Sequence, residues 1–126
     1  MTDHAEAALD RLIQAIGAGD PDAARAAYHP DATIWHNYDQ IDQSVDENLR
    51  TLSWLITSMP ERRYEDVVRR SIEGGVVQQH VLRGANALGT PVEMPACLFA
   101  FVDDDGLITR IEEYVDTAQS QVLWER

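Results

Sequence analysis

Apolar side chains follow a helical spacing in the first half of this 126-residue chain and a strand-like alternation in the second half. The first helix is predicted to end at Gly17 and Gly19, because glycine commonly terminates helices. Its apolar positions, which share one helical face, are Ala5, Ala8, Leu9, Leu12, Ile13 and Ile16.

Two further helices are indicated by their start signals. Asp20 can cap a short second helix, with Pro21 at its first position. Ser44 and Glu47 have the spacing of a capping box, and the third helix that they begin ends before Pro60. A strand over residues 33–38 separates these two helices.

The second half of the chain predicts four strands and a short helical tail that Asp116 caps. The strands cover residues 63–72, 76–83, 91–102 and 107–115. The element order predicts a single α+β domain over residues 1–126, with a cone-shaped, curved, mixed and mostly antiparallel sheet. The N-terminal helices would pack over its concave face and enclose an apolar pocket for a small molecule.

Composition narrows the classes of partner. The formal net charge of −12 argues against binding to nucleic acid or to anionic membranes, which need basic patches. A single cysteine, Cys97, excludes an intramolecular disulfide and fits a reducing compartment. No apolar run approaches the roughly 20 residues of a membrane helix, and no basic region precedes an apolar run as in a signal peptide. A cytoplasmic location is therefore expected.

Glu113 is the residue that points most clearly to chemistry. Strand alternation places it on the same face as Ile111 and Val115, among apolar neighbours. A desolvated carboxylate costs free energy unless it is paired or has a function. We therefore expect Glu113 to lie in the interior of the cone.

Two segments resemble a known superfamily. They are Tyr28-His-Pro-Asp-Ala-Thr-Ile-Trp-His-Asn37, which follows two short helices, and Asp105-Gly-Leu-Ile-Thr-Arg-Ile-Glu-Glu-Tyr-Val-Asp116. In element order the whole chain looks like the nuclear transport factor 2-like, or SnoaL-like, superfamily. That group includes ketosteroid isomerase, SnoaL-like polyketide cyclases, scytalone dehydratase and limonene epoxide hydrolase. The resemblance implies a cone fold but no single reaction, because this fold hosts many.

The resemblance to limonene epoxide hydrolase is partial. Trp35 and Asn37 match its aromatic and asparagine on the first strand, and its final-strand aspartate falls on Glu113. Its arginine falls on His80, and the aspartate two positions beyond falls on Leu82, so its acid–arginine–acid set is broken. The resemblance therefore implies that these positions line the pocket, as in that enzyme, but it does not imply the epoxide hydrolase mechanism.

The resemblance to ketosteroid isomerase is weaker. In a gapless match the base of that enzyme falls on His36, one position before Asn37. Its oxyanion-hole tyrosine has no counterpart, because no tyrosine precedes Tyr28. The chain is therefore not expected to be a ketosteroid isomerase proper.

The resemblance implies a site in which Glu113 and His80 pair as acid and base while Asn37, with His36, holds a substrate oxygen. Expected substrate-binding residues are Trp35, Leu52, Leu82, Cys97, Phe99 and Ile111. The expected chemistry is general acid–base catalysis without a cofactor or metal, namely isomerisation, cyclisation, dehydration or epoxide hydrolysis. The substrate would be small, mostly apolar and oxygenated.

Two readings without catalysis stay open. The chain could be a ligand-binding or dimerisation module of the same fold, or a protein–protein interaction domain. Convergence of Glu113 and His80 in one enclosed cavity would favour the enzyme. We also expect a homodimer that covers the outer face of the sheet, where alternation places Val77, Val81, Leu98 and Ala100.

Overall fold

A computed structural model describes residues 4–124, which form three α-helices, six strands and one C-terminal 3₁₀ helix. The helices are α1 (His4–Ala18), α2 (Pro21–Ala27) and α3 (Val45–Ser58). The strands are β1 (Tyr28–His36), β2 (Asp42–Gln43), β3 (Glu61–Ile72), β4 (Gly75–Ala85), β5 (Pro91–Val102) and β6 (Ile108–Val115). The 3₁₀ helix covers Thr117–Trp124.

The six strands form one sheet in the order β2-β1-β6-β5-β4-β3. β1 runs parallel to β6, and every other neighbouring pair in this sheet is antiparallel. The sheet is therefore mixed and mostly antiparallel, which confirms the predicted α+β class.

Side-chain caps explain where two of the helices begin. The Asp20 carboxylate accepts a hydrogen bond from the Ala23 backbone N–H at 3.1 Å. Ser44 Oγ accepts from the Glu47 N–H at 3.2 Å, and Glu47 Oε1 accepts from the Ser44 N–H at 3.0 Å. These bonds satisfy backbone donors that a helix N-terminus leaves free, as predicted.

The main core lies between the helices and the concave face of the sheet. The apolar face of α1 is buried there, since Leu9 is fully buried and Leu12 and Ile16 are nearly so. From the sheet, Ile34, Ile108 and Ile111 meet these side chains. The helical periodicity of the sequence thus identifies the surface that covers the cone.

The two faces of β5 are opposite to those predicted. Leu98 and Ala100, expected on the outer face, are 5% and 0% exposed and belong to the core. Leu98 is paired with Gln78 on one side and Glu113 on the other, and directly paired residues share a face. Residues 96–102 are all apolar, so this stretch has no polar position to mark its outer face.

β1 and β2 also differ from the prediction. β1 begins at Tyr28 rather than at residue 33, and its pairing with β6 shifts register between Tyr28 and Thr33. Pro30 fits within this interrupted stretch because no regular ladder bond is required of it. The two-residue β2 pairs with the end of β1 and has no sequence signal of its own.

Substitution of Gly84 on β4 should destabilise the protein, because a Cβ at this position would lie 1.7 Å from the Glu61 carbonyl oxygen of β3. We expect Gly84→Ala to lower the free energy of unfolding by about 1–3 kcal/mol, as overpacking does elsewhere. Denaturant-induced unfolding would measure this. Gly17→Ala is the control, since nothing lies within 4 Å of that Cβ. Equal stability of the two variants would contradict the tight β3–β4 approach.

Candidate active site

A cavity of about 820 Å³ lies between the concave face of the sheet, α1, α3 and the 3₁₀ helix. Its walls are largely aliphatic, with Leu9, Leu52, Leu98 and Leu123 each contributed by a different element. Exposed residues of the lining, such as Trp124, mark the end that opens to solvent. The volume falls in the usual range of about 300–1,000 Å³ for small-molecule sites.

Glu113 and His36 form a pair at the concave face. Parallel pairing of β1 with β6 sets these two residues side by side, and His36 Nε2 lies 3.2 Å from Glu113 Oε1. The His36 side chain is 9% exposed, and the Glu113 side chain is 24% exposed. An ionised carboxylate only accepts hydrogen bonds, so the imidazole Nε2 donates. Nδ1 of His36 is buried and has no hydrogen-bond partner among residues 4–124.

His80 faces the same cavity but is not the direct partner of Glu113, contrary to prediction. β5 lies between β4 and β6, which separates the two backbones by about 9–10 Å at normal strand spacing. The contact of His80 is with Gln78, whose Nε2 is 2.9 Å from its Nδ1. Glu113 and His80 therefore share a cavity without sharing a hydrogen bond.

Three tyrosines, Tyr28, Tyr38 and Tyr64, line the cavity around this carboxylate. Burial, reinforced by the negative charge of Glu113, raises the pKa of Tyr28 and of Tyr64. Burial, Asp39 and Glu113 together raise the pKa of Tyr38 to about 12. All three phenols are thus neutral at physiological pH and retain their O–H groups as hydrogen-bond donors.

The same charge acts on His80. Burial lowers the pKa of His80, the charge of Glu113 opposes that shift, and the positive charge of Arg69 adds to it. The Tyr64 ring packs edge-on against the imidazole, with 4.9 Å between ring centroids. His80 is 4% exposed, so its surroundings favour the neutral imidazole.

A chain of amides and hydroxyls forms the α3 side of the cavity. Tyr28 donates its O–H to Asn48 Oδ1 at 2.9 Å, and Asn48 Nδ2 donates to Gln43 Oε1 at 3.3 Å. Gln43 Nε2 in turn donates to Thr51 Oγ1 at 3.1 Å. All four residues line the cavity, so this chain gives one wall a fixed polar surface.

Trp54 on α3 contributes an unused donor. Its ring lies 4.8 Å from the Trp124 ring, which packs the 3₁₀ helix against α3. Its Nε1 is buried and has no hydrogen-bond partner in the described part of the chain. Buried indole N–H groups usually find a partner, so a ligand oxygen in the cavity would satisfy this one.

Three predicted substrate-binding residues lie on the convex face instead. Trp35 is paired with Glu112 and packs edge-on against Tyr114. Cys97 and Phe99 alternate with the inward-facing Leu98, and neither lines the cavity. A one-residue error in alternation moves every side chain of a strand to the other face, which explains these misassignments.

Asn37 has a structural contact rather than a place in the cavity lining. Its Oδ1 accepts from the Val115 N–H at 2.9 Å, and its Nδ2 donates to the Val115 carbonyl at 3.4 Å. These bonds connect the end of β1 to the end of β6. The expectation that Asn37 holds a substrate oxygen is therefore not supported, because both polar atoms of its side chain are engaged.

Some of the residues that line the cavity were predicted from the sequence, and others were not. Six predicted residues line the cavity, namely His36, His80, Glu113, Leu52, Leu82 and Ile111. Among the missed residues, Tyr64 stands between Arg63 and Glu65 in a strand that reads as exposed. The position of Tyr64 between two charged residues, on the opposite face of the strand, is the pattern from which its inward orientation could have been predicted.

Between residues 4 and 124, no group of three or more His, Cys, Asp or Glu side chains is arranged to hold a metal ion. None of the helices described is both long enough and apolar enough to span a membrane.

Comparisons with known proteins agree with this architecture. The family model of the SnoaL-like domain matches residues 9–111. Among curated proteins, no sequence matches the chain.

Several solved structures share the fold at low sequence identity. A candidate polyketide cyclase from Xanthomonas campestris pv. campestris is 21% identical, with a TM-score of 0.76 over 94% of each chain. A candidate SnoaL-like polyketide cyclase from Shewanella denitrificans is 14% identical, with a TM-score of 0.75 over 99% of this chain and 100% of that chain. AusH from Aspergillus nidulans is 12% identical, with a TM-score of 0.81 over 94% of this chain and 88% of its own.

Proposed function

The chain belongs to the SnoaL-like domain family, and from this premise we propose that it is an enzyme of general acid–base chemistry. Its substrate is a small, mostly apolar, oxygenated molecule, and the reaction needs no cofactor. The observation that carries the proposal is the Glu113–His36 pair at 3.2 Å within an apolar cavity. The reaction is an isomerisation, a cyclisation, a dehydration or an epoxide hydrolysis, and the first two proceed as follows.

Glu113 is the group we assign to proton removal. Its carboxylate takes a proton from a carbon next to a carbonyl, and the C–H electron pair moves onto the carbonyl oxygen to form an enolate. In an isomerisation, protonated Glu113 gives this same proton back to the enolate at another carbon. In a cyclisation, the enolate carbon attacks a second carbonyl of the same molecule and Glu113 gives the proton to the alkoxide that forms, so Glu113 is regenerated without an external reagent.

His36 is the residue that positions Glu113. Its Nε2–H holds Glu113 Oε1 and fixes the orientation of the carboxylate. A catalytic carboxylate has to be positioned within hydrogen-bonding distance of the proton it takes. The parallel register of β1 and β6 supplies this positioning from rigid elements.

The walls of the cavity support the proposed substrate class. Aliphatic residues from α1, α3 and the sheet favour an apolar skeleton, while Trp54 Nε1 offers an unused donor for an oxygen atom. Candidate polyketide cyclases among the structural neighbours favour carbon–carbon bond formation within one molecule.

An enolisable bicyclic ketone such as 2-tetralone separates the enzyme from a mere ligand-binding module. In deuterated buffer, NMR would follow the replacement of its acidic C–H protons by deuterium. We expect the protein to accelerate this exchange beyond the buffer rate. Saturable binding of the ketone without any accelerated exchange would favour the non-catalytic alternative.

We also propose a homodimer that covers the convex face of the sheet. Half-exposed apolar side chains there include Trp35, Val77, Val81, Cys97 and Phe99. Apolar side chains that are exposed together on one face commonly mark an interface. We likewise propose a cytoplasmic location, which the single cysteine supports.

Sedimentation at micromolar concentration should give twice the 14.2 kDa mass of one chain. Phe99→Glu places a charge in the centre of the apolar convex face and should reduce the mass to that of one chain. Leu88→Glu is the control, because Leu88 is exposed in the loop between β4 and β5. A wild-type mass of one chain would contradict the proposed dimer.

A further inference from the structure

A line of polar side chains leads from the surface of α1 to His80. Asp10 Oδ1 accepts from Arg69 Nη1 at 2.6 Å, and Arg69 Nε donates to Gln78 Oε1. Gln78 Nε2 then contacts His80 Nδ1 at 2.9 Å. Gln78 is fully buried and His80 is 4% exposed, so water does not compete for these bonds.

The chemistry of each group fixes the direction of these bonds. A guanidinium has only donors, so the Gln78 atom that faces Arg69 is the amide oxygen. The amide nitrogen of Gln78 therefore faces His80, and it too is only a donor. Nδ1 of His80 must then be an acceptor, which leaves the ring proton of a neutral imidazole on Nε2.

We propose that Arg69 and Gln78 lock His80 as a neutral imidazole whose Nε2–H binds the substrate's carbonyl oxygen. This inference rests on the proposed function and adds that the carbonyl oxygen of the substrate faces β4 and is bound by His80. Arg69 and Gln78 are positioning residues, since they act through His80. Glu113 removes the proton, and His80 stabilises the negative charge that develops on the oxygen.

The surroundings of Nε2 agree with this role. His80 lines the cavity, and its contact with Gln78 is made through Nδ1, which leaves Nε2 for a ligand. The charged and titratable groups that face the ring are Arg69 and Tyr64 from β3, Glu113 from β6 and, through Arg69, Asp10 from α1. A protonated ring would place an N–H against the Gln78 amide, so donor would face donor.

Glu113 and His80 lie two strands apart on the concave face of the sheet, and this separation makes them complementary. Glu113 is on β6 and His80 is on β4, with β5 between them. A ligand that spans this distance can present an enolisable carbon to the carboxylate and its oxygen to the imidazole. The same separation prevents His80 from neutralising the carboxylate by a direct hydrogen bond.

Long-range ¹H–¹⁵N NMR on labelled wild-type protein tests the inference without any substrate. We expect the His80 ring to show an unprotonated Nδ1 and a protonated Nε2 at neutral pH. A protonated Nδ1 would overturn the proposal, and this result needs no variant to fold.

Gln78→Glu is the matched perturbation. A carboxylate at position 78 accepts a hydrogen bond from a protonated Nδ1 and stabilises the charged ring, so the midpoint of His80 titration should rise by about 1–3 pH units. Gln79→Glu adds the same charge one residue away, on the exposed convex face, and should leave the His80 signals in place. An unchanged His80 midpoint in the Gln78→Glu protein would also overturn the proposal.

Ketone exchange separates this inference from the proposed function. Gln78→Glu should lower the maximal exchange rate more than it weakens ketone binding, because charge on the oxygen develops only during the reaction. If wild-type His80 shows the expected tautomer but the Gln78→Glu protein exchanges the ketone protons at the wild-type rate, the role of His80 in binding the oxygen is overturned. Under that outcome the assignment of Glu113 would stand, since Glu113→Gln tests it independently.

Discussion

Glu113→Gln should lower the rate of ketone deuterium exchange by about 10²–10⁴-fold, the usual contribution of a general acid–base group. Glutamine retains the shape and polarity of the side chain but cannot accept a proton at neutral pH. Binding of the ketone should change little, because the cavity walls are unaltered. Parallel measurements of exchange by NMR and of thermal unfolding would separate catalysis from stability.

Glu112→Gln is the matched control for this prediction. Glu112 is adjacent in sequence but lies on the convex face, where it accepts a hydrogen bond from Arg110 at 2.8 Å. Its substitution removes a half-exposed ion pair that is worth about 1 kcal/mol or less and should not affect exchange. If Glu112→Gln lowers the exchange rate and Glu113→Gln leaves it unchanged, the proposed site is wrong.

His36→Phe should have the second largest effect on catalysis, a loss of about 10²-fold or more in the exchange rate. Phenylalanine can keep the stacked contact with Tyr38, whose ring centroid lies 5.1 Å away, and removes only the imidazole nitrogens. Stability should be largely retained, because the change also removes the buried Nδ1 that has no partner among the described residues.

Partial recovery in His36→Gln would distinguish hydrogen-bond positioning of Glu113 from simple packing, since the amide can still donate to Glu113. His4→Phe, at an exposed histidine on α1, is the control and should leave exchange unchanged. Full activity in the His36→Phe protein would mean that Glu113 needs no partner, contrary to the proposal.

The fold could be predicted from the sequence wherever polar residues mark the boundaries and faces of elements. The Ser44–Glu47 capping box fixes the start of α3, and the periodicity of α1 identifies its buried face. On β6, the flanking Ile111 and Val115 indicate that Glu113 points inward, because polar and apolar positions differ there. β5 lacks such markers over its apolar stretch, so the faces of Cys97 and Phe99 could not be read.

The partner of Glu113 could not be predicted because it depends on long-range pairing. His36 meets Glu113 only through the parallel ladder of β1 and β6, whose register shifts between Tyr28 and Thr33. No local pattern encodes that shift. The contact between Gln78 and His80 could have been predicted, since alternate residues of a strand share a face. Which of the two donates the hydrogen bond depends on Arg69, which the β3–β4 register places opposite Gln78.

The central claim is that the cavity presents an enolisable carbon of its ligand to the side chain at position 113. A crystal structure of the Glu113→Gln protein with bound 2-tetralone tests it most directly, since this variant retains the cavity but not the base. The proposed mechanism predicts the ketone between α1 and the concave face, with its acidic carbon about 3–3.5 Å from the side-chain oxygen or nitrogen at position 113. A ketone bound on the convex face, or one whose acidic carbon lies far from position 113, would contradict the claim.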